Sequence, residues 1–285
     1  MLFRSVGALK PDGTPYTFSN WGGNNALEGL MAPGGEILGA QPANEEPVRL
    51  KGTSMAAPVI TGLCALLLSL QRQQGKPVDA EAVRAALPER WKPVFDHHVA
   101  ARREFLAMHR GPRSLTLPSW RIIQPEPPEK LLQHYREAAT ATGIPWQVLA
   151  AVNLVETAMG RLDGISVAGA QGPMQFLPST WAEAGIGKGD IRNPRDAINA
   201  AARYLVRRGG PGNLRQALWG YNNSEHYGKA VLHYAALMQE DPAAFRGLYH
   251  WEVHFASGAG DLWLPVGYSQ PRPIPVAAYL KRSEE

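Results

Sequence analysis

The feature that most restricts the fold is a proline-punctuated stretch near the middle of the chain, PRSLTLPSWRIIQPEPPEK, residues 112–130. Pro112, Pro118, Pro125, Pro127 and Pro128 all fall within it. Each removes a backbone donor and fixes its own φ, so no continuous helix runs through the stretch, which reads as a connector. The chain is therefore divided, and its 285 residues, 45 % of them apolar, suffice for two packed cores.

Composition excludes several classes of function. A net charge of +4 is spread without a dense Lys/Arg run or interleaved aromatics, so nucleic acid is not an expected partner. The single cysteine, Cys64, lies in the apolar run TGLCALLLSL and reads as a buried core thiol, with no disulfide or cysteine metal site possible within one chain. That run stops at Gln71, too short for a membrane span, so no stable membrane insertion is expected, and MLFRSVGALK shows no signal peptide. The eight histidines lack metal-ligand spacing and no nucleotide motif is visible, so neither metal nor cofactor is expected.

Residues 1 to about 45 are rich in Gly, Pro and Asn and read as loops and short strands. Helical patterns follow in SMAAPVITGLCALLLSL and VDAEAVRAALPER, and a boundary is expected near Trp91. The expected organisation is 1–92 as one segment, 93–128 as a helix and connector, 129–250 as a mainly helical domain, and 251–285 as a β-hairpin and tail. Helix ends in the second half are well marked. Asn193, Pro194 and Asp196 form an N-cap, a first-turn proline and a first-turn acid, and Gly209–Gly210 supplies a stop.

Two stretches carry chemistry. The first is KGTSMAAPVI, where Ser54 precedes an apolar helical run. A serine becomes nucleophilic only when a histidine takes its proton, a carboxylate orients that histidine and donors await the oxyanion. GTSMAAP, together with FSNWGG and LMAPGGEILGA upstream and VDAEAVRAAL downstream, resembles the nucleophile half of subtilisin-like serine proteases over residues 5–90. The resemblance implies an incomplete α/β segment with Ser54 as nucleophile. In that family the aspartate, histidine and oxyanion asparagine precede this region, so Ser54 is expected to lack its base. Asp96, His97 and His98 follow it and are not expected to rebuild the triad. A truncated gene is the preferred reading over a half-domain completed by a separately encoded protease half, because a sheet cut in two leaves unpaired edges.

The second stretch is PWQVLAAVNLVETAMGRL. Leu149, Val152, Glu156 and Met159 are spaced for one helix face, and Glu156 is the only acid between Pro145 and Leu162. A carboxyl among apolar side chains has its pKa raised and stays protonated near neutrality, as a general acid requires. The competing reading is a solvated glutamate paired with Arg161.

VETAMGR, SVAGAQGPMQFLPSTWAEAG, NPRDAINAAARYL and LWGYNNS resemble, in order and spacing, the soluble lytic transglycosylases and goose-type lysozymes, with flanks extending the match to residues 95–275. The resemblance implies a mainly α lysozyme-like domain acting on peptidoglycan glycan strands outside the cytoplasmic membrane. It carries the catalytic acid to Glu156 and sugar contacts to Ser166, Gln175, Tyr221 and Asn222, with Tyr221 supporting the glutamate or the substrate. Two departures stand out: Thr157 replaces the familiar serine after the glutamate, and YNNS lacks a glycine.

Asp163, Glu183, Asp190 and Glu225 are read as surface or turn residues, which leaves one carboxylate where glycosidases usually use two. One suffices if it protonates the leaving oxygen and then deprotonates the same sugar's C6 hydroxyl, closing an intramolecular 1,6-anhydro ring; the resemblance implies this reaction at the bond between MurNAc and GlcNAc. The alternatives are a lysozyme-type muramidase, a non-catalytic peptidoglycan-binding module and a working serine endopeptidase. Of Trp181, Tyr204, Trp219, Tyr221 and Tyr227, Tyr221 is the expected groove residue and the others are expected to pack.

Overall fold

The computed structural model describes residues 6–9, 30–33, 37–41 and 44–50, positions 81, 84, 85, 89 and 111, and residues 92–108, 113–242 and 244–283. Ser54, Cys64 and the helices expected around them lie outside the described residues. The chain forms two compact units, Met1–Glu89 and Arg90–Glu285.

In the first unit β1 (Val6–Leu9) pairs in parallel with β2 (Leu30–Pro33), from Val6↔Leu30 to Leu9↔Pro33. β3 (Ile37–Gln41) pairs antiparallel with β4 (Asn44–Leu50), with a register shift between Gly39 and Gln41.

The second unit is mainly helical. It opens with α1 (Lys92–Met108), then the short strands β5 (Thr116–Leu117) and β6 (Arg121–Ile122) inside the proline-rich stretch. Pro127 and Pro128 end that stretch by starting α2 (Pro128–Thr142), where a missing N–H costs nothing, and Gly143 closes the helix in the left-handed conformation at φ 76°. α3 (Trp146–Thr157), β7 (Leu162–Asp163) and the single turn α4 (Pro178–Trp181) follow. Next come α5 (Pro194–Arg207), α6 (Leu214–Asn222), α7 (Glu225–Glu240) and α8 (Ala244–Tyr249). β8 (Val253–Ser257), β9 (Gly260–Leu264), β10 (Ile274–Pro275) and α9 (Val276–Ser283) complete the unit. The Asn193 side chain accepts from the Asp196 N–H at 3.1 Å, and the Gly210 N–H bonds the Leu205 carbonyl at 2.9 Å, so the signals read for the ends of α5 act as caps.

α3 is the central helix, packed by α2, α5, α7 and α8. Every residue from Val148 to Leu154 is buried. It is thus covered on all sides, where the sequence suggested one buried stripe. Burying a side chain such as Leu149 or Val152 is worth about 1.5–3 kcal/mol, so α3 is held by packing more than by propensity. The stripe also ends sooner than its spacing suggested. Ala158 and Met159 are left-handed at φ 51° and 64°, and the Met159 N–H returns to the Asn153 carbonyl at 3.2 Å. Met159 reaches the core from beyond the helix.

A satellite core of Leu117, Ile122, Val253, Leu264, Tyr268 and Val276 joins the connector to the end of the unit. β5 pairs with β10, β6 with β7 and β8 with β9, all antiparallel. The Arg121↔Asp163 and Ile122↔Leu162 pairs tie the connector to the chain just after α3. Among the described residues no helix is long and apolar enough to cross a membrane, and no group of three or more His, Cys, Asp or Glu is placed to hold a metal ion.

Candidate active site

Glu156 sits in the last turn of α3, where the buried helix meets the surface. The residue keeps partial exposure while its carboxyl is enclosed by neighbouring groups. Burial pushes its pKa from 4.5 up to about 7, against a hydrogen bond that favours the charged form. That bond comes from Tyr227, whose hydroxyl donates to Oε1 at 2.7 Å. Arg161, the candidate surface partner, turns away: its guanidinium lies 4.9 Å from the centre of the Tyr249 ring.

Tyr227 is held by α7, whose first turn is capped by Ser224 accepting from the Tyr227 N–H at 3.2 Å. Its ring stacks on Tyr221 with centroids 6.2 Å apart and planes 4° from parallel. Burial, then the Glu156 charge, raises the pKa of both phenols well above the ordinary value. Both therefore remain neutral donors. The Tyr221 hydroxyl is used elsewhere, donating to the Met174 carbonyl at 2.8 Å. The direct bond to the acid thus belongs to Tyr227, which the sequence reading had assigned to packing. Its signal was present: Tyr227, Val231 and Tyr234 mark the buried face of α7, with a polar hydroxyl at the end nearest α3.

Beside the acid lies the loop 171–176. Gln171 and Phe176 close it with paired backbone bonds of 2.9 and 3.0 Å. Gly172, at φ 73°, is required there, because a Cβ would overlap the Ile191 carbonyl oxygen. Gln175 is left-handed at φ 48°, unusual for a residue with a side chain, and its amide nitrogen donates to the Gly172 carbonyl at 3.0 Å and the Gly164 carbonyl at 3.4 Å. Ser166 organises the preceding turn, its hydroxyl accepting from the Ala170 N–H at 3.0 Å. Asn222 is exposed at the end of α6, next to the left-handed Asn223 that supplies the turn in place of glycine.

The Thr157 hydroxyl is not available to assist Glu156. It donates to the Pro173 carbonyl at 2.6 Å. The other acids near the site are engaged away from Glu156. Asp163 is paired with Arg121 and, at 3.1 Å, with Arg192. Glu183 pairs with Arg207 at 2.9 Å and Glu225 with Arg215 at 3.2 Å. Asp190 accepts from the Arg192 N–H at 2.9 Å. Among the other aromatics, Tyr204 is buried, Trp181 packs edge-on against Phe176, and Trp219 is 48 % exposed. An open depression along α2, lined by Leu132, Gln133, Arg136 and Glu137, includes none of the residues around Glu156.

The histidines considered for a protease triad serve the α1–α7 seam. His97 Nδ1 lies 3.2 Å from His233 Nδ1, and its Nε2 lies 3.2 Å from Glu240 Oε1. His98 packs against Trp251 and Tyr234, with ring centroids 5.4 and 6.3 Å away.

Residues 133–236 match the Transglycosylase SLT domain. Residues 4–100 match the Subtilase family. Curated proteins similar to the N-terminal part include a subtilisin-like protease 1 from Arthroderma gypseum and another from Trichophyton equinum. Each is 42 % identical over 74 residues, 26 % of this chain. The chain spans only 15 % and 14 % of their respective lengths. Solved structures that match include the PatG macrocyclase in complex with peptide, at 78 % identity over 29 % of this chain and 25 % of that one, with a TM-score of 0.26. Another is the patellamide maturation protease PatA, at 48 % identity over 25 % of this chain and 26 % of that one, with a TM-score of 0.24. The stretch matching the SLT domain thus contains Glu156, Ser166, Gln175, Tyr221 and Asn222, whereas Ser54 falls within the stretch matching the Subtilase family.

Proposed function

We propose that the SLT domain cleaves the β-1,4 bond between MurNAc and GlcNAc in peptidoglycan as a lytic transglycosylase, working within residues 129–250. The observation that carries the reading is Glu156, a carboxyl with a pKa of about 7 whose Oε1 is held by a neutral phenol. Near neutrality the carboxyl is protonated in a large share of molecules and gives its proton to the glycosidic oxygen as the C1–O bond breaks. Positive charge then develops at C1 of MurNAc. The new carboxylate, stabilised by the Tyr227 O–H, takes the proton of the same sugar's C6 hydroxyl as that oxygen bonds C1. A 1,6-anhydro ring closes and the proton returns to Glu156, so no water is consumed.

The engagement of Asp163, Glu183, Asp190 and Glu225 with other groups supports this one-carboxylate route over hydrolysis. Gln175 and Ser166 lie in the loops after α3, and Tyr221 and Asn222 at the end of α6. These four are assigned to holding the glycan. Ser54 is assigned no part in glycan cleavage. The substrate places the reaction outside the cytoplasmic membrane.

The test is mass spectrometry of peptidoglycan digested by the full chain, with Glu156→Gln and Ser54→Ala variants. Anhydro-muropeptides that disappear only with Glu156→Gln are expected. Reducing-end products would replace the reading with a muramidase, and binding without release would replace it with a non-catalytic module.

A further inference from the structure

Asn153 is completely buried one turn before Glu156, and a polar side chain in such a place persists only when its hydrogen bonds are made. Three of the four hydrogen bonds that its amide can make are made. Oδ1 accepts from the Tyr135 hydroxyl at 2.5 Å, and Nδ2 donates to the Pro173 carbonyl at 2.7 Å and to Thr157 Oγ1 at 3.1 Å. Thr157 adds its own bond to the same Pro173 carbonyl at 2.6 Å and accepts from the Gly160 N–H at 3.1 Å. One carbonyl of the 171–176 loop is therefore gripped twice by α3, and α2 orients the grip through Tyr135. The next carbonyl, that of Met174, is held from α6 by Tyr221. The residue after that is Gln175, in a left-handed conformation that needs its surroundings to fix it.

We infer that Asn153 is a positioning residue: with Tyr135 and Thr157 it clamps the Pro173 carbonyl and thereby sets Gln175 in register with the Glu156 carboxyl. The inference rests on the proposed function for its catalytic consequence, and on the geometry alone for the clamp. Asn153 acts through the loop and touches no substrate. Its amide is specific to the task. Leucine has a similar volume but leaves the Tyr135 hydroxyl only the weak acceptor Met159 Sδ, 3.6 Å away, and the Pro173 carbonyl one donor, and aspartate puts an oxygen against that carbonyl.

The experiment compares the full chain with Asn153→Leu, Gln175→Ala and the double variant. It measures kcat and KM for peptidoglycan solubilisation alongside amide hydrogen exchange across 171–176 and α3. Asn153→Leu is expected to speed exchange in 171–176 while the middle of α3 stays protected, and to lower kcat/KM by about 10- to 100-fold, the scale of a displaced binding group. The double variant is expected to be no worse than the poorer single one, because both changes disable the same contact. Multiplying losses, or a fall in kcat that matches lost folded protein with KM unchanged, would overturn the inference. Unchanged exchange in 171–176 would overturn it too. If the unaltered protein releases no fragments, the proposed function fails instead, and the exchange arm still decides whether Asn153 holds the loop.

Discussion

The end of α3 and the seam between α1 and α7 both enclose ionisable side chains, and burial acts on them in opposite chemical directions. At α3 it raises Glu156 to about 7. At the seam it lowers His98 to about 4, aided by the charge of His97, and it lowers His233 as well. Both shifts favour the neutral form, the acid by keeping its proton and the bases by losing theirs. The pH response of stability therefore has opposite signs in the two places. With a folded pKa above its unfolded value, Glu156 contributes stability that is full below pH 4.5 and lost as pH rises through about 7. With a folded pKa below its unfolded value, His98 contributes stability that is full above pH 6.5 and lost as pH falls toward about 4. Only the first cost has a use on the proposed reading, since it keeps a proton ready for transfer.

The largest effect expected from breaking this contrast is on catalysis. Glu156→Gln should reduce anhydro-muropeptide release by at least about 1,000-fold, because an amide supplies no transferable proton. Tyr227→Phe comes next: losing a bond to the carboxylate should slow release by about 10-fold and raise the pKa of Glu156 further. The alkaline fall in the pH–rate profile, expected near pH 7 for the unaltered protein, should move upward; a downward shift would mean that the phenol does not stabilise the charged form.

Smaller effects concern stability. Glu156→Gln should be about 1–3 kcal/mol more stable than the unaltered protein in urea at pH 8, the advantage disappearing near pH 4. At the seam, His98→Phe should gain about 1 kcal/mol at pH 5 relative to pH 7.5, less than the full shift implies because the ring keeps some exposure. A gain independent of pH would assign the effect to packing against Trp251 and Tyr234 and separate the seam from any titration.

The same contrast shows what the sequence made legible. Glu156 was identifiable because one acid inside an apolar helical run is a local anomaly. The ends of α5 were readable because Asn193 and Gly210 act on neighbours within a few residues. Tyr227, Asn153 and the His97–His233 pair were not, since their roles depend on partners 71, 20 and 136 residues away. Thr157 was a candidate only because of its neighbour, and its hydroxyl proved committed to the Pro173 carbonyl. Met159 misled through spacing alone, as nothing local announced the left-handed turn at Ala158.

The pairing of β5 with β10 also brings two distant parts of the second unit's chain together. Leu117 stands opposite Ile274 in that pair, so the chain enters and leaves the satellite core side by side. Everything between them, α2 to α8 and the Glu156 site included, is a loop closed at its own neck. A segment with adjacent entry and exit can be spliced into a host at one surface turn without forcing the host's ends apart. The two short strands thus act as a clasp around the stretch that holds Glu156 and the proposed glycan contacts.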